Sequence, residues 1–148
     1  MDAALSYLTE RMRTVREVED KLDELQYGEG DILVTIQRLR ELDLVNDEAY
    51  AREFLRSRLA SKPLSRQKLY LDLRAHKVPE EIIRAALDEL PAETEADNAR
   101  EVAKKFWRQM NGLEENVRRE RVLRRLMSRG FSTEASLAAI REAVEEEI

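Results

Sequence analysis

Apolar positions along the chain recur at helical spacing, and one five-residue skeleton of them returns three times. Leu22, Tyr27, Ile32, Ile36 and Leu39 stand at successive steps of five, five, four and three residues. Leu73, Val78, Ile83, Leu87 and Leu90 repeat those steps, as do Leu126, Phe131, Ser136, Ile140 and Ala143. The copies are offset by 51 and 53 residues, a period that marks tandem supersecondary units. The third copy matches least well. Ser136 and Ala143 are poor core residues, and Leu137 and Val144 are expected to take their places.

Polar punctuation agrees with the skeleton. Eight residues before the first Leu of copies one and two stand Thr14 and Ser65, each a good helix N-cap. Glu17, three residues after Thr14, completes a capping box. Tyr27-Gly28, Val78-Pro79 and Gly130-Phe131-Ser132 mark breaks before a further helix, with Pro79 suited to the first helical position and Ser132 to a cap. A helix precedes each pair, over roughly 2–12, 47–60 and 93–110. With few Gly and Pro and no strand alternation, the reading is all-α: three tandem three-helix repeats, 1–46, 47–91 and 92–148, forming an elongated, curved array. One compact bundle is the competing arrangement. Tyr50, Phe54 and Leu55, and Ala99, Val102, Ala103, Phe106 and Met110, read as core stripes. Trp107, about 80° off its stripe at helical rotation, reads as edge of core, the alternative being a partner anchor.

Composition changes this picture only once it is mapped. The 148 residues hold 26 Lys plus Arg against 31 Asp plus Glu, a net charge of −5, and no Cys. Without Cys there are no disulfides or thiolate chemistry, as suits a reducing compartment. No apolar run approaches a membrane span, and Asp2, Glu10 and Arg11 leave no signal-peptide core, so a cytoplasmic protein without membrane association is expected. The charge is uneven. Residues 1–47 carry 6 basic and 12 acidic side chains, whereas residues 51–77 carry 8 and 2, and residues 116–131 carry 6 Arg and one Glu.

Catalytic chemistry has little to stand on. His76 is the one histidine, and alone it completes no usual zinc site or Ser-His-Asp triad; it reads as a surface or hinge residue. Gly28-Glu29-Gly30 leads into Asp31 and forms no phosphate loop. Acidic pairs such as Glu80-Glu81 and Glu114-Glu115 read as solvated faces. The run Glu145 to Glu147 opposes the helix dipole, so the C-terminal end is expected to fray. No cofactor, no metal and no enzymatic activity are expected.

Binding through helix faces is the alternative. Arg118, Arg121, Arg125 and Arg129 follow helical steps of three and four, with Arg124 beside them and only Glu120 nearby. Arg66, Tyr70, Arg74 and Lys77 form a second stripe, and Arg52, Arg56, Arg58 and Lys62 come from the preceding helix and loop. Guanidinium rows with an interleaved aromatic suit a phosphate backbone or an acidic protein surface. The last two helices of each copy resemble a helix-turn-helix. The basic row precedes the turn, however, which disfavours reading of base edges.

The segment Leu44-Val45-Asn46-Asp47-Glu48-Ala49-Tyr50-Ala51-Arg52-Glu53-Phe54-Leu55-Arg56-Ser57-Arg58 resembles the signature of the bacterial RecX family. The resemblance continues through Leu64 to Leu69 and Leu71 to Val78, and Arg129-Gly130-Phe131-Ser132 is also similar to the family. Lys77 stands where the family usually has Gly, and Pro63-Leu64 shortens a Gly-rich loop. The resemblance implies tandem three-helix repeats and a non-catalytic regulator of the RecA recombinase. It implies binding to RecA and its filament on single-stranded DNA; a monomer with weak direct contact to single-stranded DNA is expected. The residues of both Arg-rich stripes, with Arg52, Arg56, Arg58 and Lys62, are the expected contacts, facing DNA phosphates or acidic RecA surface. A DNA-binding repeat protein independent of RecA is the second reading.

Overall fold

The computed structural model describes residues 1–147; Ile148, the last residue of the expected third repeat, lies outside them. Among the described residues there are nine helices and no strand. They are α1 (Asp2–Glu10), α2 (Val15–Glu24), α3 (Glu29–Glu41), α4 (Asp47–Ser61), α5 (Arg66–Ala75), α6 (Glu80–Asp88), α7 (Thr94–Gln109), α8 (Glu115–Ser128) and α9 (Thr133–Glu147). Every third helix opens a repeat, and the two that follow carry the skeleton.

The joint between those two helices is the same backbone motif each time. After Leu22, Leu73 and Leu126 the chain turns through a residue at positive φ: Gln26 at 69°, Lys77 at 65° and Gly130 at 92°. The amides of Tyr27, Val78 and Phe131 then donate back to the carbonyls of Leu22, Leu73 and Leu126 at 3.1–3.2 Å. This is the Schellman closure, which satisfies carbonyls that a helix end leaves open. It explains the five-residue step from Leu to the next skeleton position. Only Gly130 occupies the left-handed region without a side-chain penalty, which costs Gln26 and Lys77 roughly 1–2 kcal/mol each.

The helix starts follow the caps read from sequence. Thr14 and Glu17 form the capping box, with bonds of 3.2 and 3.0 Å. Ser65 Oγ accepts from the Lys68 amide at 3.1 Å, and Ser132 Oγ from the Ala135 amide at 3.1 Å. Pro79 falls one position earlier than expected: its carbonyl accepts the Ile83 amide, so it precedes α6. The Val15 amide donates to Asp47 Oδ1 at 2.9 Å, so α4 also caps α2. Burial pushes the Asp47 carboxyl above its ordinary range despite that bond.

The chain forms two compact units. The first holds Met1–Leu55 with Asp72–Ala86, and the second holds Arg56–Leu71 with Leu87 onward. Val15, Val18, Leu22, Ile36, Leu39 and Val45 make a core in the first. Val102, Phe106, Trp107, Val122, Leu126, Phe131 and Ile140 make one in the second. Removing a side chain as fully buried as Leu22 or Leu126 costs about 2–5 kcal/mol.

Two expectations about the core are corrected here. Ser136 and Ala143 keep their skeleton positions and are buried, while Leu137 is exposed and Val144 only half-buried. Helical rotation, not side-chain hydrophobicity, fixes which position faces inward. The consequence is a buried Ser136 hydroxyl with no hydrogen-bond partner. Tyr27 goes the other way and is 43 % exposed, whereas its equivalents Val78 and Phe131 are buried.

Candidate polyanion-binding groove

Neighbouring repeats are joined by the cap hydroxyls. Thr14 Oγ1 donates to the carbonyl of His76 at 2.7 Å, and Ser65 Oγ donates to the carbonyl of Arg129 at 2.8 Å. Donor and acceptor occupy equivalent skeleton positions in the two cases. Each hydroxyl thus caps its own helix and anchors the turn of the next repeat. Both Thr14 and Ser65 are fully buried, as such a double role requires.

At the second of these junctions a groove of about 1190 Å³ opens within the second unit. Lys62 and Pro63 at the end of α4, Lys68 and Leu71 on α5, and Arg129 after α8 form one part of its wall. Lys104, Lys105 and Arg108 of α7 form another, with Glu101 as the one acidic lining residue. Six cationic side chains around one cleft focus positive potential there. Lys104 also pairs with Glu146 at 2.8 Å. The buried ring of Phe106 holds Arg129 at 5.0 Å and Arg125 at 5.3 Å from its centroid, with Lys105 at 6.0 Å. Such cation–π contacts restrain guanidinium groups without neutralising them.

The expected contact residues are not all assembled at this groove. Lys62 and Arg129 line it, and Arg125 shares Phe106 with Arg129. Arg121 is exposed on α8, and Arg124 is exposed while paired with Glu120 at 2.6 Å. Arg56 and Arg58 are exposed at the end of α4, and Tyr70 is half-buried on α5. Arg66 turns away and donates to the carbonyls of Leu87 and Leu90 at 3.0 and 3.4 Å, closing the end of α6. Arg52, Arg74 and Lys77 belong to the first unit, where Lys77 forms an ion pair with Asp20.

Arg118 departs from the row altogether. It is 7 % exposed, its Nε donates to the Trp107 carbonyl at 2.9 Å, and its guanidinium lies 3.7 Å from the Trp107 ring centroid. It also pairs with Glu147 at 3.0 Å, and Trp107 Nε1 donates to the same carboxylate at 2.5 Å. The skeleton explains this. Arg118 stands eight residues before Leu126, the place that Thr14 and Ser65 hold in the other repeats, and here it clamps the final helix instead. The expected fraying of the acidic end is therefore corrected. Glu147 is tied to Trp107 and Arg118, Glu146 to Lys104, and Glu142 to Arg100. Those bonds from Trp107 and then Arg118 hold the Glu147 carboxyl below its usual range.

His76 is also more engaged than a surface histidine. Its Nδ1 lies 3.0 Å from Glu17, and its ring packs against Tyr50 and Phe54 at 5.7 and 5.3 Å between centroids. Trp107 is core, at 3 % exposure. The residues missed from sequence are Lys68, Lys104, Lys105 and Arg108. The spacing of Lys104, Lys105 and Arg108 was a usable signal, since one helical turn separates Lys104 from Arg108. Among the described residues there is no cluster able to hold a metal ion and no helix long and apolar enough to cross a membrane.

Three family models match in order along the chain: "RecX, first three-helix domain" over residues 1–39, the second over 46–87 and the third over 93–140. The regulatory protein RecX of Streptomyces lividans is 32 % identical over 143 residues, spanning 97 % of this chain and 76 % of that protein. The regulatory protein RecX of Prosthecochloris aestuarii is 32 % identical over 146 residues, 99 % of this chain and 91 % of its own. The crystal structure of RecX from Lactobacillus salivarius superposes with a TM-score of 0.88 at 27 % identity, covering 96 % of this chain and 92 % of that one.

Proposed function

The chain belongs to the RecX family of regulatory proteins, and from that premise we propose that it binds RecA and the RecA filament on single-stranded DNA and inhibits RecA recombinase and ATPase activity. The single observation that carries this reading is the family match in all three repeats. The cation-lined groove supports it, because a nucleoprotein filament offers phosphates and carboxylates, and guanidinium and ammonium groups pair with both. Repeats at 1–46, 47–91 and 92–148 would contact successive filament subunits, each weakly and together avidly. The protein acts as a cytoplasmic monomer, with no catalytic group or cofactor of its own.

RecA ATPase activity on single-stranded DNA, followed while this protein is titrated in, tests the proposal. A progressive fall in turnover is expected, and no change at several-fold excess over filament binding sites overturns it. The second reading, direct DNA binding without RecA, is favoured by the Arg and Lys lining of the groove. Charge reversal at Arg121 and Arg125 separates the two. If naked-DNA binding is tight, salt-steep and lost in the variant while filament binding persists, the second reading stands.

A further inference from the structure

The first repeat carries a groove of opposite character. It lies between α2 and α3, encloses about 620 Å³, and is lined by Glu19, Asp23 and Glu29 around Ile32, Leu33 and Ile36, among others. Arg16, paired with Asp20 at 3.1 Å, and Arg40 are its basic lining residues, against the four carboxylates of Glu19, Asp20, Asp23 and Glu29. Glu19, Asp23 and Glu29 have no ion-pair partner among the described residues. Leu33 is 70 % exposed and the adjacent Val34 is 67 % exposed. They are the two most exposed large hydrophobic side chains among the described residues, and apolar exposure that is contiguous and rimmed by polar groups marks interaction surfaces.

The other repeats supply an internal control. At the positions of Leu33 and Val34 they carry Arg84 and Ala85, then Leu137 and Ala138. At the positions of Glu19, Asp20 and Asp23 they carry Tyr70, Leu71 and Arg74, then Leu123, Arg124 and Met127. The fold therefore demands neither the acids nor the paired aliphatics. The turn differs as well. In the second and third repeats it is anchored by the preceding repeat's cap hydroxyl and buries Val78 or Phe131, while in the first Leu25 and Tyr27 remain 47 % and 43 % exposed.

We infer that the α2–α3 groove of the first repeat is a docking site for a cationic amphipathic helix of a partner protein. Its aliphatic side chains would cover Leu33 and Ile32, and its Lys or Arg at helical spacing would meet Glu19, Asp23 and Glu29. An apolar strip flanked by acids matches that helix and repels nucleic acid. The reading is independent of the proposed action on RecA.

The test uses the full chain and two labelled synthetic helices of equal positive charge, one with a continuous Leu stripe and one with the same residues scrambled. Fluorescence anisotropy is expected to show the striped helix binding at least about tenfold tighter than the scrambled one. Leu33→Asp should lose most of that difference, and Asp23→Lys should weaken binding of the striped helix several-fold, with helical content and melting midpoint unchanged because both side chains are exposed. Equal binding of the two helices, or binding untouched by both substitutions, overturns the inference. So does concentration-dependent dimerisation in sedimentation that Leu33→Asp abolishes, because the occupant would then be a second copy of this chain.

Discussion

The two junctions between repeats are built on one backbone plan and differ in charge. In both, a buried cap hydroxyl donates to the carbonyl that precedes a left-handed turn residue. At the first junction Glu17 faces His76 and Asp20 pairs with Lys77. At the second the equivalent positions hold Lys68 with Arg129, and Leu71 with Gly130. The ion-paired seam of the first junction becomes at the second the cationic groove that also gathers Lys62, Lys104, Lys105 and Arg108. Joining repeats thus requires the hydroxyl and the turn, while the surrounding charges are left to specify what each junction does. The difference can be broken or sharpened by substitution.

The largest effect is expected at the turn. A Cβ on residue 130 would lie 2.5 Å from Ser65 Oγ, which is fixed by its two hydrogen bonds and cannot swing aside. Gly130→Ala adds to this clash the cost of an L side chain at φ 92°, so a loss of about 2–4 kcal/mol is expected in urea unfolding. Lys77→Gly at the first junction makes the opposite change. It relieves the left-handed residue but frees the unfolded chain and removes a half-exposed ion pair, so its net effect should stay within about 1 kcal/mol. Equal destabilisation by both substitutions would break the equivalence of the turns.

Removing the hydroxyls comes next. Ser65→Ala leaves the Lys68 amide and the Arg129 carbonyl without their partner, and a cost of about 1–3 kcal/mol follows from losing a cap and a buried hydrogen bond together. Thr14→Val should cost a similar amount. An effect no larger than an exposed cap gives, about 0.5 kcal/mol, would mean that the hydroxyl does not join the repeats.

How much of this could be read in advance follows from which physics is local. Caps, breaks and apolar spacing depend on residues within one or two turns, so Thr14, Ser65 and Ser132 and the helices they start were legible. Burial was legible as geometry but misjudged as chemistry: Ser136 is buried because its position faces inward. The charged residues were the least legible. Arg118 belongs to a regular row in sequence, yet a carbonyl and a carboxylate from two other helices draw it inside. Lys104 and Arg108 stand one helical turn apart, but nothing in the sequence places them around one cleft with Lys62, Lys68 and Arg129. The role of a long charged side chain is set by partners distant in sequence, which periodicity does not report.

A transplant of charge tests the second junction. Lys68→Glu places there the acid that the first junction has, opposite Arg129 in place of His76. Binding of single-stranded oligonucleotide, if the groove contacts phosphate, should weaken several-fold, and the slope of log affinity against log salt should fall by about 1. The same substitution at Arg84, exposed and outside the groove lining, is the control and should leave the slope unchanged. Equal losses at both sites would reduce the groove to general electrostatics.

The smallest effect separates the junctions by pH. The Lys77 ammonium beside Asp20 holds that carboxyl below its ordinary 3.8. A depressed carboxylate contributes stability that is present above the unfolded value and lost as pH falls through the folded one. Leu71, at the equivalent place in the second junction, has nothing to titrate. Amide protection measured at about pH 5 and about pH 2.5 should therefore fall more around Val15–Asp20 than around Arg66–Leu71. Asp47, whose carboxyl burial raises, runs the other way, since it gains a proton more readily in the folded state and so favours folding on acidification. Because it caps Val15, its titration acts on the same helix start, and Asp20→Asn isolates the two. The substitution should remove the additional acid loss around Val15–Asp20 and leave the Asp47 contribution in place. If the acid loss persists in Asp20→Asn, the ion pair with Lys77 is not what distinguishes the first junction.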